Sequence, residues 1–286
     1  MQNDIRCHTC LLSRVILECE LAGVTPEQTH SISLESKQLL DFLLTTNMSH
    51  PAVASIFYRF VHRSICCDDP FSSLKRQSNE NVANMIRRYA DRIPGWSFRD
   101  LVTAAVIGNS IDYGVQEYDV SDDFAFFFEE EWKSGLKIDD TDEMLPLLDR
   151  IVYLTDNCGE VILDRELIRY LKNKGSDITL VARTLPILND ATCDDIIALG
   201  IDSHVNRIYP NSNTAEIGIR FDQISAELLY YINNATLIIS KGMANYESLR
   251  EFQGLPPVAY LLTAKCLPVA EQLHVTKGSK LALLRL

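Results

Sequence analysis

Acidic and amide side chains occur together at two positions in the sequence, each next to an apolar or amphipathic stretch. Asp156 and Asn157 follow directly after the apolar residues 151–155, which have the length and composition of a buried strand. Asn189 and Asp190 stand immediately before a second amphipathic stretch. Carboxylate and amide oxygens together form the hard donor set that Mg²⁺ or Mn²⁺ prefers. Asp156, Asn157 and Asp190 are therefore candidate ligands for one divalent cation.

Cationic and amide side chains could complete such a site. Lys241 and Lys265 each follow an apolar run of strand length. Ammonium groups bind phosphoryl oxygens and balance the charge that builds on them during transfer. The two lysines are therefore candidate phosphate ligands, and Arg183, Asn109 and Asn245 are further candidate contacts to substrate.

The same residue types also have structural explanations. Asp and Asn accept hydrogen bonds from the free N–H groups at a helix start, so Asp156 with Asn157, or Asn189 with Asp190, is also typical of a turn with a helix cap. A loop lysine such as Lys241 is exposed by default. Capping explains each acidic turn separately, but it does not explain why lysines follow two later strands. We therefore favour a shared site.

Two acidic residues are candidates for orienting an attacking water. Glu247 follows the dipeptide Lys241-Gly242, and Asp112 lies in a polar break over residues 108–114. Glu247 can equally cap a helix or pair with a cation, and the break can equally be a helix end. Neither segment has the glycine spacing of a nucleotide P-loop or of a dinucleotide-binding turn.

Cys7 and Cys10 have the spacing of half a zinc site and are candidates for a second or structural metal. The chain has no second thiolate pair at the spacing of a zinc ribbon. His62 or Cys66-Cys67 could join them through space, whereas buried free thiols are the commoner outcome. Redox chemistry is less favoured, because this pair does not follow a strand.

The two halves of the chain differ in the spacing of their apolar residues. From residue 10 to about 132 these recur at helical spacing, which predicts a mainly helical N-terminal domain over residues 1–145. Over residues 146–286, β-branched runs alternate with longer amphipathic stretches. That alternation predicts an α/β fold, a Rossmann-like three-layer α/β/α domain with a mainly parallel sheet.

The predicted elements place the candidate residues at one edge of that sheet. The predicted strands cover residues 150–155, 177–182, 204–209, 235–240, 257–262 and 279–284, and the predicted helices cover residues 160–174, 190–199 and 221–233. Open parallel sheets bind ligands in the crevice beyond the carboxyl ends of their strands. The polar residues that follow the predicted strands would therefore meet in one crevice.

Composition narrows the classes of partner. The 286 residues include 27 Lys and Arg against 39 Asp and Glu, a formal net charge of -12, which disfavours binding to nucleic acid or to anionic lipid. We find neither a signal peptide nor an apolar run long enough for a membrane span, and the eight cysteines are scattered. We expect a cytoplasmic protein with reduced thiols that acts on a small molecule, and its oligomeric state stays open.

Taken in order, these motifs resemble those of the damage-control phosphatases, formerly domain of unknown function family 89, in the stand-alone archaeal and bacterial-type branch. The matching segments are Cys7-X-X-Cys10, Asp69-Pro70-Phe71 with Lys75 and Asn79, Gly108-Asn109 with Asp112, residues 156–160, Asn189-Asp190-Ala191-Thr192, Lys241-Gly242 with Asn245-Tyr246-Glu247, and Lys265-Cys266. Each motif is common, but their order and spacing together are specific.

The resemblance implies a helical N-terminal part, a Rossmann-like C-terminal domain and metal-dependent hydrolysis of phosphomonoesters. It implies that Asp156, Asn157 and Asp190 ligate the metal and that Lys265 contacts phosphate. The chain departs from better-studied relatives at one point: their Arg-Thr-X-Lys motif here reads Leu262-Thr263-Ala264-Lys265. The loss of that Arg removes a bidentate phosphate contact, so substrate preference does not carry over.

The leading hypothesis is a phosphatase that uses Mg²⁺, Mn²⁺, Co²⁺ or Ni²⁺, with a metal-activated water attacking a small phosphorylated metabolite such as a sugar phosphate. Lys241 and Lys265 neutralise the phosphoryl oxygens, and Glu247 or Asp112 orients the water. The alternative is a non-catalytic protein that binds a nucleotide or a phosphorylated metabolite in the same crevice. Methyl transfer, which has been associated with the wider family, ranks below both.

Overall fold

The N-terminal part of the protein is helical. The structure is a computed structural model, and it describes residues 4–110 and 123–286. Thr25 caps the second helix through a reciprocal pair of hydrogen bonds with Gln28, and Pro26 occupies its first position. The helices of this part are α1 (Ile5–Leu21), α2 (Pro26–Leu43), α3 (His50–Ser64), α4 (Ser72–Arg88), α5 (Phe98–Ser110) and α6 (Asp123–Ser134).

The C-terminal part alternates strands and helices. Its strands are β1 (Ile138–Asp139), β2 (Arg150–Leu154), β3 (Asp177–Ala182), β4 (Arg207–Pro210), β5 (Leu237–Lys241), β6 (Val258–Thr263) and β7 (Lys280–Arg285). Its helices are α7 (Thr141–Met144), α8 (Glu160–Asn173), α9 (Cys193–Ala198), α10 (Ala226–Asn233), α11 (Gly242–Leu249) and α12 (Leu267–Gln272). The predicted α/β fold with a mainly parallel sheet is thus confirmed.

The described strands form one seven-stranded sheet in the order β1-β7-β6-β5-β2-β3-β4. All neighbours run parallel except β6 and β7, which run antiparallel. From β2 the chain moves outward through β3 and β4, and it then returns to the other side of β2 with β5 and β6. The crevice between the carboxyl ends of β2 and β5 is therefore the topological switch point, where sheets of this kind bind ligands.

Both faces of the sheet are buried. Alternate residues of the central strands, such as Ile151 and Leu237, pack with α5 and α8 in one apolar core. The residues between them, such as Val152 and Ile238, pack with α10, α11 and α12 in a second core. Helix α5 thus shares the core of the sheet, whereas α1, α2 and α3 form a separate core that also includes Ile187 and Ile217. The boundary near residue 145 stays a prediction.

The predicted elements correspond closely to those observed, with three differences. All six predicted strands are present, but β7 is antiparallel and the two-residue β1 was not predicted. Helices α7, α11 and α12 were also not predicted. Within the described ranges, no helix combines the length and the apolar character needed to cross a membrane.

Candidate active site

The candidate metal ligands meet through the backbone that follows β2. Asn157 and Asp190 face each other in an antiparallel bridge. Beside it, the Ala191 N–H donates to the Asp156 carbonyl oxygen at 2.8 Å. Two segments that are distant in sequence therefore lie side by side at the switch point, and the spatial convergence that the sequence predicts is present.

Arg183 joins the two candidate carboxylates. Its Nε donates to Asp190 Oδ2 at 2.6 Å, and a terminal nitrogen donates to Asp156 Oδ1 at 3.4 Å. The other terminal nitrogen donates to the Gly218 carbonyl and to Asn245 Oδ1. The side chain is buried, and four of the five N–H groups of a guanidinium are thereby used. Arg183 and Asn245 therefore orient the ligands from within the protein, and the prediction that they contact substrate stays a prediction.

Glu160, the first residue of α8, fixes the two amides of the site. The Asn157 amide nitrogen donates to Asp156 at 2.8 Å and to Glu160 at 2.9 Å. The Asn109 amide nitrogen donates to the same two carboxylates, at 3.1 and 2.9 Å, while its oxygen accepts from the Thr263 N–H. Because an ionised Glu160 only accepts hydrogen bonds, both amide nitrogens must face it. The Asn157 oxygen is left as the group that can ligate a cation, whereas Asn109 ties α5 to β6.

Lys241 lies beneath this network with no exposed surface. Its ammonium donates to the Ala105 carbonyl at 2.9 Å, to Glu160 at 2.5 Å and to Asp164 at 2.7 Å. These bonds use all three N–H groups, so none is left for a phosphoryl oxygen in this arrangement. Burial alone would raise the pKa of Glu160, but the charge and hydrogen bond of Lys241 outweigh it and hold that pKa below its usual value. Lys241 keeps Glu160 ionised.

The positive charge around Asp156 and Asp190 is too small to offset the burial of their carboxylates. Burial, followed by the nearby charges of Asp190 and Glu160, raises the pKa of Asp156 to about 8 despite the opposing effect of Arg183. Burial also raises the pKa of Asp190. Two adjacent buried carboxylates and an amide oxygen form a hard donor set that a divalent cation would stabilise. The residues present therefore fit such a cation.

Lys265, just beyond β6, is the available cation of the site. It is partly exposed, and its charge lowers the pKa of both Asp156 and Glu160, which places it near them. Within the described part of the chain its ammonium group makes no hydrogen bond or ion pair. Unlike Lys241, it has all of its donors free to bind an anion.

The start of α11 packs directly against Asp156. Gly242 has φ +74°, and a Cβ built on it would lie 1.9 Å from Asp156 Oδ2. Any other residue there would displace the carboxylate. The close approach of the backbone to this candidate ligand therefore requires glycine at position 242.

Helix α4 contacts residues 156–160, the loop that follows β2 and carries Asp156 and Asn157. Asn79 accepts from the Gly159 N–H at 2.6 Å. Lys75, which is 3% exposed, bridges Asp69 at 3.3 Å and Asp195 at 2.7 Å. Lys75 and Asn79 belong to the motifs that resemble the family. The structure places both next to residues 156–160, the loop that carries Asp156.

The remaining candidates lie elsewhere. Glu247 pairs with His50 at 3.2 Å, and its predicted action on water stays a prediction. Asp112 lies outside the described residues. Cys7 and Cys10 lie in α1, and no cluster of three or more His, Cys, Asp or Glu side chains in ranges 4–110 and 123–286 is arranged to hold a metal. The Asp156–Asn157–Asp190 set has only two such residues, so its third donor is an amide.

Known proteins share this architecture. The model of the damage-control phosphatase ARMT1-like domain matches residues 4–281. A damage-control phosphatase from Archaeoglobus fulgidus is 34% identical over 281 residues, covering 96% of each chain. A damage-control phosphatase from Pyrococcus horikoshii is 29% identical, covering 98% of this chain and 96% of its own. A crystal structure of a DUF89 family protein from the latter organism superposes with a TM-score of 0.89 at 27% identity over 99% of both chains.

Proposed function

Since the chain belongs to the damage-control phosphatase ARMT1-like family, as its motifs indicate, we propose that it is a metal-dependent phosphatase of small phosphorylated metabolites. The family supports phosphatase action on phosphorylated metabolites as a class. The dependence on a divalent cation and the choice of phosphomonoesters, including sugar phosphates, are our own extension of that class.

The convergence of Asp156, Asn157 and Asp190 is the observation that carries the proposal. They lie at the switch point of the sheet, and Lys265 stands nearby with its donors free. A hard-oxygen donor set next to a free ammonium group suits a cation together with a phosphoryl group. An exposed lysine cluster alone would suit an anion but would give no means of activating water.

The chain's own residues have separable tasks in this mechanism. Asp156, Asn157 and Asp190 would hold Mg²⁺, Mn²⁺, Co²⁺ or Ni²⁺, and such a cation lowers the pKa of a bound water and stabilises phosphoryl charge. Lys265 binds a phosphoryl oxygen and neutralises its charge. Arg183 fixes the Asp190 carboxylate, and Glu160 turns the Asn157 oxygen toward the crevice.

The substrate contacts differ from those of relatives that carry Arg in the C-terminal motif. Leu262 occupies that position, is buried in the second core and cannot bind phosphate. A single Lys265 point charge lacks the two-pronged geometry of a guanidinium. We therefore propose that this enzyme holds the phosphoryl group chiefly through the cation and Lys265, and that it accepts several small phosphomonoesters.

The test is a metal-dependent activity screen. Metal-free protein is supplied with each of the four cations and assayed on a generic aryl phosphate, then on a panel of phosphorylated metabolites. Asp190→Asn, which keeps the shape of the side chain, should abolish turnover. Asp149→Ala removes a carboxylate that is 70% exposed next to the start of β2, and it should retain full activity.

If no cation and no substrate gave turnover, the proposed phosphatase activity would be refuted. If calorimetry then showed a phosphorylated metabolite binding tightly, the non-catalytic binding protein would replace it. Full activity of Asp190→Asn would refute the role of Asp190 as a metal ligand, but it would not contradict the proposed phosphatase activity.

A further inference from the structure

A thiol, an imidazole and a carboxylate form a chain of contacts that the mechanism above does not use. Cys7 lies in the first turn of α1, and it lines a small cavity together with His50, whose ring lies at the start of α3. The same ring contacts Glu247 of α11, with 3.2 Å between His50 Nδ1 and Glu247 Oε2. Three helices that are distant in sequence thus bring these groups together.

His50 carries a positive charge at neutral pH. Burial alone would lower the pKa of His50, but the hydrogen bonds and charges of Cys7 and Glu247 outweigh it and raise that pKa to about 10. A neighbouring imidazolium and a helix N-terminus are common features of the surroundings of reactive cysteines. Cys7 has both neighbours.

Cys66 provides the contrast within the same chain. It is exposed, follows the C-terminal end of α3, and its thiol contacts the Arg63 carbonyl at 3.6 Å. The negative end of a helix disfavours a thiolate. Exposure alone therefore predicts reaction at Cys10 or Cys66, whereas the proximity of His50 predicts reaction at Cys7.

The partner thiol is within bonding reach. Cys7 and Cys10 are three residues apart in α1, and Cys10 is exposed. A rise of about 1.5 Å per residue on a radius of about 2.3 Å separates their Cα atoms by about 5 Å. Disulfides span Cα separations of about 4.4 to 6.8 Å. The helix can therefore accommodate this bridge with little backbone movement.

We infer that Cys7 and Cys10 are a reversible thiol-modification site, which forms a disulfide by exchange with a low-molecular-weight disulfide such as oxidised glutathione. The Cys7 thiolate attacks one sulfur of the reagent, which forms a mixed disulfide and releases one glutathione thiolate. That thiolate takes the proton of Cys10, and the Cys10 sulfur attacks Cys7 and releases the second glutathione. Two protein thiols are oxidised and one reagent disulfide is reduced.

The experiment follows each cysteine during oxidation. The reduced, full-length protein is incubated with oxidised glutathione, and peptide mapping by mass spectrometry reports the state of each thiol over time. In the unsubstituted protein, Cys7 should react first and end bonded to Cys10. In Cys10→Ser, the glutathione adduct on Cys7 should accumulate, because the resolving thiol is gone. Cys66→Ser, the matched control, should behave as the unsubstituted protein.

A His50→Gln variant tests the origin of the reactivity. Loss of the neighbouring cation should slow the reaction of Cys7 severalfold, because the imidazolium no longer stabilises the charge on the attacking sulfur. If this variant does not fold, Cys10→Ser, at an exposed position, still decides the matter. Reaction at Cys66 before Cys7, a bond from Cys7 to Cys266 instead of Cys10, or an unchanged rate in folded His50→Gln would overturn the inference.

Discussion

Substitution of Gly242 by Ala separates backbone strain from damage to the candidate metal site. Gly242 has φ +74°, and an added Cβ would lie 1.9 Å from Asp156 Oδ2 and 2.3 Å from its Cγ. Gly254 has φ +78°, but no described atom lies within 4 Å of its Cβ position. Gly254→Ala therefore introduces the same strain without the contact, which makes it a matched control.

The two variants should differ in stability by the cost of the contact. A left-handed conformation costs an L-residue about 1–2 kcal/mol, and this applies to both. Forcing an extra methyl group into a filled site adds about 1–3 kcal/mol in Gly242→Ala alone. We therefore expect a loss in the free energy of unfolding of about 1–2 kcal/mol for Gly254→Ala and about 2–5 kcal/mol for Gly242→Ala.

The two variants should also differ in function. Gly242→Ala must push the Asp156 carboxylate away, so its affinity for the divalent cation should fall by at least about tenfold, about 1.4 kcal/mol, and kcat with it. Urea unfolding, calorimetric metal titration and the phosphatase assay measure the three quantities. Native-like metal affinity and turnover in a folded Gly242→Ala protein would show that the position of Asp156 does not matter for either.

Three further variants test individual charges. Lys265→Ala should raise KM by about tenfold, the cost of one charge-assisted hydrogen bond. Lys174→Ala, at an exposed position at the C-terminal end of α8, is the control and should leave KM unchanged. Equal KM values for the two variants in a steady-state assay would contradict the phosphate contact. Lys241→Met leaves two buried carboxylates without their cation and should lower the free energy of unfolding by about 3–5 kcal/mol in urea, so a loss below about 1 kcal/mol would refute its structural role. The raised pKa of His50 stabilises the folded state fully below its ordinary value of 6.5, and this contribution is lost as pH rises through about 10. Unfolding at pH 7 and pH 10 should therefore show a greater loss for the unsubstituted protein than for His50→Gln, and parallel pH dependence would exclude the effect.

The strands were predictable because their β-branched runs are long and uniformly buried. The direction of β7 was not predictable, since regular alternation of strands and helices favours parallel crossovers. Helix α12 has six residues and does not return the chain across the sheet, so β7 runs back antiparallel to β6. Helices α11 and α12 have eight and six residues, which is too short for apolar residues to show a helical periodicity in the sequence.

Lys241 shows how one residue of strand length changes a functional interpretation. The predicted strand ended at Ser240, which placed Lys241 in the crevice, but β5 includes Lys241. Because side chains alternate along a strand, Lys241 shares the face of Leu237 and Ile239, which pack toward α5 and α8. The ammonium is therefore directed to the interior. A signal for its partners was present, since Glu160 and Asp164 are four residues apart and therefore share one face of α8.

The buried charges around the switch point explain why a cation should accompany the phosphoryl group. The described residues of this region include four carboxylates that are at most 6% exposed and two equally buried cations, namely Asp156, Glu160, Asp164 and Asp190 against Arg183 and Lys241. With all of them ionised, the region carries an excess of two negative charges, which would repel a phosphomonoester. The proposed divalent cation would cancel that excess, and the partly exposed Lys265 would then provide the net positive charge that attracts the substrate. Because burial raises the pKa of Asp156 and Asp190, the same cation would also hold both carboxylates in their ionised form.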